Sequence, residues 1–114
     1  MPTALTAETY PTIVTEPTVV LDCTASWCHP CHTFAPVFAH VAGNNPDLVF
    51  ATVDVDAEPE LSARFDVRAV PTIVALRDGV VVFRRPGVLS PDTLQSLVDR
   101  LRQVVPAPGA GRRL

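Results

Sequence analysis

A run of β-branched and apolar residues, Thr18 to Ala25 (TVVLDCTA), passes almost directly into a helical pattern, with Cys28 and Cys31 at the junction. The run reads as a buried strand, with Asp22 unusual in its middle. From Cys31 to Ala42, Phe34, Val37, Phe38 and Val41 recur at i, i+3, i+4 and i+7, the stripe of an amphipathic helix. Pro36 inside that stripe predicts a kink, and Gly43, Asn44, Asn45 and Pro46 predict its end. Leu48 to Val55 (LVFATVDV) is apolar on both faces for most of its length, as in a sheet covered on two sides. Glu58 to Phe65 suits a short helix. Thr72 to Leu76 and Val80 to Arg84 read as a hairpin joined by Arg77, Asp78 and Gly79, with the Asp-Gly that such turns favour. Ser90 caps a last helix with Pro91 at its first position and Asp92 near its positive end. Leu94, Leu97, Val98 and Leu101 form its apolar stripe. After a short N-terminal piece the order is β, α, β, α, β, β, α. That order predicts an α/β fold of parallel strands with an antiparallel edge, enclosed by helices.

The 114 residues fit a single domain, expected to span 1–105. The Pro- and Gly-rich tail 106–114 (PAPGAGRRL) is expected to be disordered. A formal net charge of −3 with scattered Lys and Arg lacks the clustered basic face of a nucleic-acid binder. The first residues have neither the basic start nor the apolar run of a signal peptide. Runs such as Val80 to Phe83 are too short to cross a bilayer. The expectation is a soluble cytoplasmic protein with no membrane partner, in a compartment where thiols stay reduced.

Three cysteines suit neither a disulfide framework nor a complete Cys₄ zinc site. Their crowding points instead to chemistry at one place. In Trp27-Cys28-His29-Pro30-Cys31 the cysteines stand at a helix N-terminus, whose unpaired N–H groups and dipole favour a thiolate at Cys28. Cys31, one turn further in, is the natural resolving thiol, and attack followed by resolution is how disulfides are exchanged.

The segments VVLDCTASWCHPC, FAPVF, VDVDAEPELSARFDVRAVPT, LRDG and PGV together resemble the thioredoxin family, from about Leu5 to Val105. The resemblance implies a thioredoxin fold, a mixed four- to five-stranded sheet flanked by helices on both faces. It implies that Pro71 is cis and faces the disulfide, and that Val70 pairs its backbone with bound substrate. Asp22 would be the buried carboxylate behind Cys31, exchanging a proton through water. Trp27, Val70, Pro71 and Gly87 would form an apolar docking surface, with His29, Pro30 and Pro71 tuning the couple. The activity implied is protein-disulfide reduction through a Cys28/Cys31 dithiol–disulfide cycle, with an oxidant or isomerase on the same fold as the alternative. No bound cofactor is implied beyond the redox-active disulfide Cys28–Cys31, and no metal. The implied partners are protein disulfides and an NADPH-dependent flavoprotein thioredoxin reductase, serving a monomer in cellular redox homeostasis. Three departures stand out: His29 replaces the usual Gly, Thr52 stands where a Lys is common, and Cys23 and Thr24 replace an aromatic pair. They bear on redox potential and partner choice rather than on the type of reaction.

Other readings compete for the same residues. Cys28 to His32 also matches C-x-x-C-H, the attachment motif of c-type haem, with His32 as proximal ligand. Against it, the β-rich order offers no obvious haem pocket, Met1 is the only methionine, and His40 lies on the same helix. A zinc site on Cys28, Cys31 and His32 needs a further ligand where the family places Pro71. A non-catalytic binding module would have no use for the intact pair beside Trp27 and Pro71. Cys23 reads as a small buried hydrophobe, His29 as partly exposed, and His32 and His40 as solvated.

Overall fold

The computed structural model describes residues 2–104, so the tail at 106–114 lies outside the described residues. Among the described residues five strands, β1 (Thr3–Ala4), β2 (Thr18–Thr24), β3 (Val49–Asp54), β4 (Thr72–Arg77) and β5 (Val80–Pro86), form one sheet in the order β1-β3-β2-β4-β5. The helices are α1 (Tyr10–Ile13), α2 (His29–Gly43), α3 (Pro59–Arg64) and α4 (Pro91–Gln103). Among the described residues no helix is long and apolar enough to cross a membrane.

Strand β2 lies at the centre and is buried from Thr18 to Cys23. It runs parallel to β3, with Asp22 opposite Thr52, and antiparallel to β4, with Asp22 opposite Ile73. Successive side chains leave a strand on opposite faces. Val20 accordingly joins Phe34 and Phe38 of α2 and Leu94, Val98 and Leu101 of α4 in one core. Val19, Leu21 and Cys23 join Leu61 and Phe65 in the other, with Tyr10 and Ile13 packed against it. The same alternation puts Asp22 on the α2/α4 face and Cys23 on the α1/α3 face.

Several boundaries differ from the sequence reading for local reasons. The N-terminal piece contributes an edge strand, with Thr3 and Ala4 parallel to Ala51 and Thr52 of β3, and Leu5 is buried beside it. Helix α2 begins at His29 rather than Cys31, because Cys28 serves as its cap, and it runs unbroken through Pro36. The hairpin turn is Asp78-Gly79 alone, with φ of 53° and 81°, the two positive values of a type I′ turn. Arg77 therefore stays in β4 opposite Val80, and β5 reaches Pro86 after a bulge opposite Ala75 and Leu76. Ser90 caps α4 as expected, its Oγ accepting the Thr93 N–H at 3.1 Å. At the hairpin end of the sheet, Arg77 Nη1 donates to the carbonyl oxygens of Leu101 and Arg102, each at 3.4 Å, so α4 finishes there.

Candidate active site

At the other end of β2 the chain turns over 25–27 and enters α2. The Cys28 N–H closes that turn on the Ala25 carbonyl at 3.1 Å. Cys28 is extended (φ −91°, ψ 107°) and caps the helix, its Sγ accepting the Cys31 N–H at 3.3 Å. Pro30 falls in the first turn, where a missing N–H leaves no helical bond unmade. The two cysteine Cα atoms lie 5.3 Å apart, with the sulfurs at bonding distance. Both are shielded: Cys28 is 4% exposed and Cys31 1%, packed with Ala25, Val55 and Val70. In this disulfide state Cys28, like Cys31, is far from an open surface thiol.

The loop before β4 closes over the pair. Its Val70–Pro71 peptide is cis, and the Val70 carbonyl oxygen lies 3.7 Å from Cys28 Sγ. Among the described residues neither the N–H nor the carbonyl of Val70 takes a backbone partner. Gly87, at φ 96° where an L side chain is strained, donates its N–H to the Pro71 carbonyl at 2.8 Å. Trp27 is 69% exposed and its Nε1–H donates to Asp56 Oδ2 at 2.7 Å. Between Trp27, Val55, Val67 and Val70 lies a shallow groove of about 200 Å³. Pro71 itself is buried and Gly87 exposed, so the apolar rim around the thiols is made chiefly by Trp27 and Val70.

Asp22 is 2% exposed, and among the described residues its Oδ1 has no hydrogen-bond partner. Burial pushes its carboxyl up to about 7. Cys23, next along β2, is buried on the opposite face and unpaired with any cysteine. Burial, then the Asp22 charge, push its thiol up to about 12, with Arg84 opposing. It takes no part in the pair.

The histidines separate. His29 is exposed at the first position of α2. His32, expected to be solvated, is exposed yet bound: its backbone N–H donates to the Cys28 carbonyl at 3.3 Å and its Nε2–H to the Ser26 carbonyl at 2.7 Å. No sequence signal marks that bond, or the one from Trp27 to Asp56, because both depend on how the 25–27 turn lies. The nitrogen that C-x-x-C-H would offer to iron is thus engaged by backbone. His40 Nε2 lies 3.3 Å from Asn44 Nδ2. Among the described residues no three His, Cys, Asp or Glu side chains converge as a metal site.

Comparison with known proteins places this geometry. The family model described as Thioredoxin matches residues 1–100. A Streptomyces coelicolor protein carrying the thioredoxin 2 name is 41% identical over 101 residues, covering 88% of this chain and 75% of that one. Thioredoxin C-3 of Corynebacterium nephridii is 45% identical over 85 residues, covering 75% of this chain and 59% of its own length. The solved structure of a mutant thioredoxin from Halobacterium salinarum superposes with a TM-score of 0.84 at 31% identity, covering 92% of this chain and 94% of that one. A five-stranded sheet of this order, a cysteine pair capping α2 and relatives at this identity agree: the chain belongs to the thioredoxin family, the thiol–disulfide oxidoreductases.

Proposed function

We propose that the chain is a reductant of protein disulfides, that Cys28 attacks and Cys31 resolves, and that residues 1–105 form the working unit. The Cys28 thiolate attacks one sulfur of a substrate disulfide, forming a mixed disulfide and releasing the other substrate sulfur as a thiolate. Cys31 then gives its proton to Asp22 and attacks Cys28 Sγ, releasing the second substrate sulfur and closing the Cys28–Cys31 bond. Two electrons pass from the dithiol to the substrate, which leaves as two thiols after protonation. An NADPH-dependent flavoprotein thioredoxin reductase then returns the electrons.

The observation that carries this reading is the 3.7 Å approach of Cys28 Sγ to the carbonyl of Val70, whose backbone groups have no backbone partner among the described residues. An extended peptide seated on those groups would bring its own disulfide to the sulfur. The helix end and the Cys31 N–H both favour a Cys28 thiolate, and the carboxyl of Asp22, pushed up to about 7, suits proton exchange near neutrality. This direction requires a compartment whose thiols are kept reduced, such as the cytosol.

The deciding experiment is equilibration of the Cys28–Cys31 couple with glutathione. A potential of about −230 mV or lower is expected for a reductant. A value near that of strong oxidants, about −120 mV, would assign the protein to disulfide formation instead.

A further inference from the structure

Next to the Val70 loop, a depression of about 350 Å³ is lined by Asp66, Arg68, Ala69, Thr72, Arg84 and Pro86. It shares Arg68 and Ala69 with the apolar groove beside Trp27 and Val70, so the two form one continuous surface across the Val70 loop. Arg84 stands opposite Val74, a residue of the α1/α3 core, and so leaves the sheet on that face. Its Nε donates to the Phe65 carbonyl at 2.8 Å, which fixes the root of the guanidinium. Among the described residues no carboxylate forms an ion pair with Arg84. Arg68 Nε pairs with Asp66 Oδ1 at 3.0 Å, but the two side chains are 84% and 54% exposed. Such an exposed pair holds weakly and exchanges easily.

The local excess of guanidinium runs against the whole chain, whose formal net charge is −3. In the neighbouring groove Trp27 is hydrogen-bonded to Asp56, with Asp54 and Glu58 nearby in the chain. A peptide lying across Val70 from the Trp27 groove into the depression passes from the Asp56 side towards Arg84. Thr72 and Pro86 are paired in the ladder only two residues past Val70, which is roughly 7 Å of extended chain.

We propose that this depression sets substrate preference: it accepts an Asp or Glu side chain of the protein substrate, a few residues to one side of the cysteine under attack. The inference rests on the reductase reading above and narrows its substrate class. A carboxylate fits better than a phosphate dianion because Asp66 remains on the rim.

The test uses the full chain, reduced beforehand and freed of reductant, in single turnovers. The substrates are disulfide-linked peptides that differ only in Glu, Gln or Lys placed two to four residues before or after the cysteine. The Glu peptide is expected to react roughly fivefold faster than the Lys peptide at low salt, with the ratio falling as salt rises. Within Arg84→Gln, and within Arg68→Gln, whose side chain holds nothing buried, that ratio should shrink towards one. Equal rates for Glu and Lys peptides in the wild type, or a ratio that survives both substitutions, would overturn the inference alone. Failure of the wild type to reduce even the Gln peptide would overturn the reductase reading and this inference with it.

Discussion

His32 and Ser26 are joined across the turn between β2 and α2: the imidazole Nε2–H donates to the Ser26 carbonyl at 2.7 Å. The same residue holds the Cys28 carbonyl through its backbone N–H. The turn that carries Trp27 is thereby tied to the helix from both sides. His32→Ala is expected to cost about 1 kcal/mol of stability, the usual worth of one hydrogen bond. Trp27, the only tryptophan, should report the loosening as lower fluorescence anisotropy in the folded protein. His32→Gln, which keeps a donor, should recover part of both. Unchanged Trp27 anisotropy in His32→Ala would mean that the turn is held without this bond.

The order of thiol reactivity follows from where each sulfur sits. In the reduced protein at neutral pH, Cys28 is expected to be alkylated first, with Cys31 behind it. Cys23, its thiol pushed up to about 12 inside the α1/α3 core, should react at least roughly a hundredfold more slowly unless the protein unfolds. Cys31→Ser should trap mixed disulfides through Cys28. Mass spectrometry of timed alkylation decides, and preferential labelling of Cys31 would reverse the two roles.

Asp22 makes stability depend on pH in an uncommon direction. Its carboxyl has an ordinary value of 3.8 and is pushed up to about 7 in the fold, so folding takes up a proton between those limits. Stability is unpenalised at the low end of that window and falls as pH rises through it. Asp22→Asn is therefore expected to stabilise the oxidised protein by roughly 1–3 kcal/mol at pH 8 and by little at pH 4. Urea melts at the two pH values check this. The variant should also resolve mixed disulfides more slowly, by about tenfold or more, because Cys31 loses its proton acceptor. Unchanged turnover from pH 6 to 8 would remove Asp22 from the mechanism.

His29 occupies the first position of α2, immediately beside the cap Cys28. When its imidazole is protonated, the charge favours the Cys28 thiolate and so the reduced form. His29→Gly is expected to lower the reduction potential. A tenfold change in the thiolate equilibrium corresponds to about 30 mV in the couple. If the curves of potential against pH superimpose for the two proteins, His29 acts on partners rather than on the couple.

What could be read from the chain followed the strength of its local patterns. Strand β2, helix α2 and the stripe of α4 carry long, regular periodicity, and the Asp78-Gly79 turn has a residue pair matched to two positive φ values. Strand β1 has two residues and α1 four. Neither is long enough for a period, and each is held by what it packs against, β3 in one case and Phe65 in the other. Asp22 stood out as a polar residue in a strand, yet its role was suggested by resemblance. His32 is marked in the sequence only as the end of C-x-x-C-H, and Arg84 not at all, because their partners are the carbonyls of Ser26 and Phe65, brought near by tertiary structure.

Arg77 holds the final carbonyls of α4 beside the Asp78-Gly79 turn, at the pole of the sheet opposite Thr24 and the disulfide. The last helix thus ends away from the working face. A fusion partner, affinity tag or surface linker joined downstream of α4 would carry the protein with its thiols pointing outward. Anchored in that way, the protein would keep its Val70 loop and both flanking grooves open to macromolecules as large as itself.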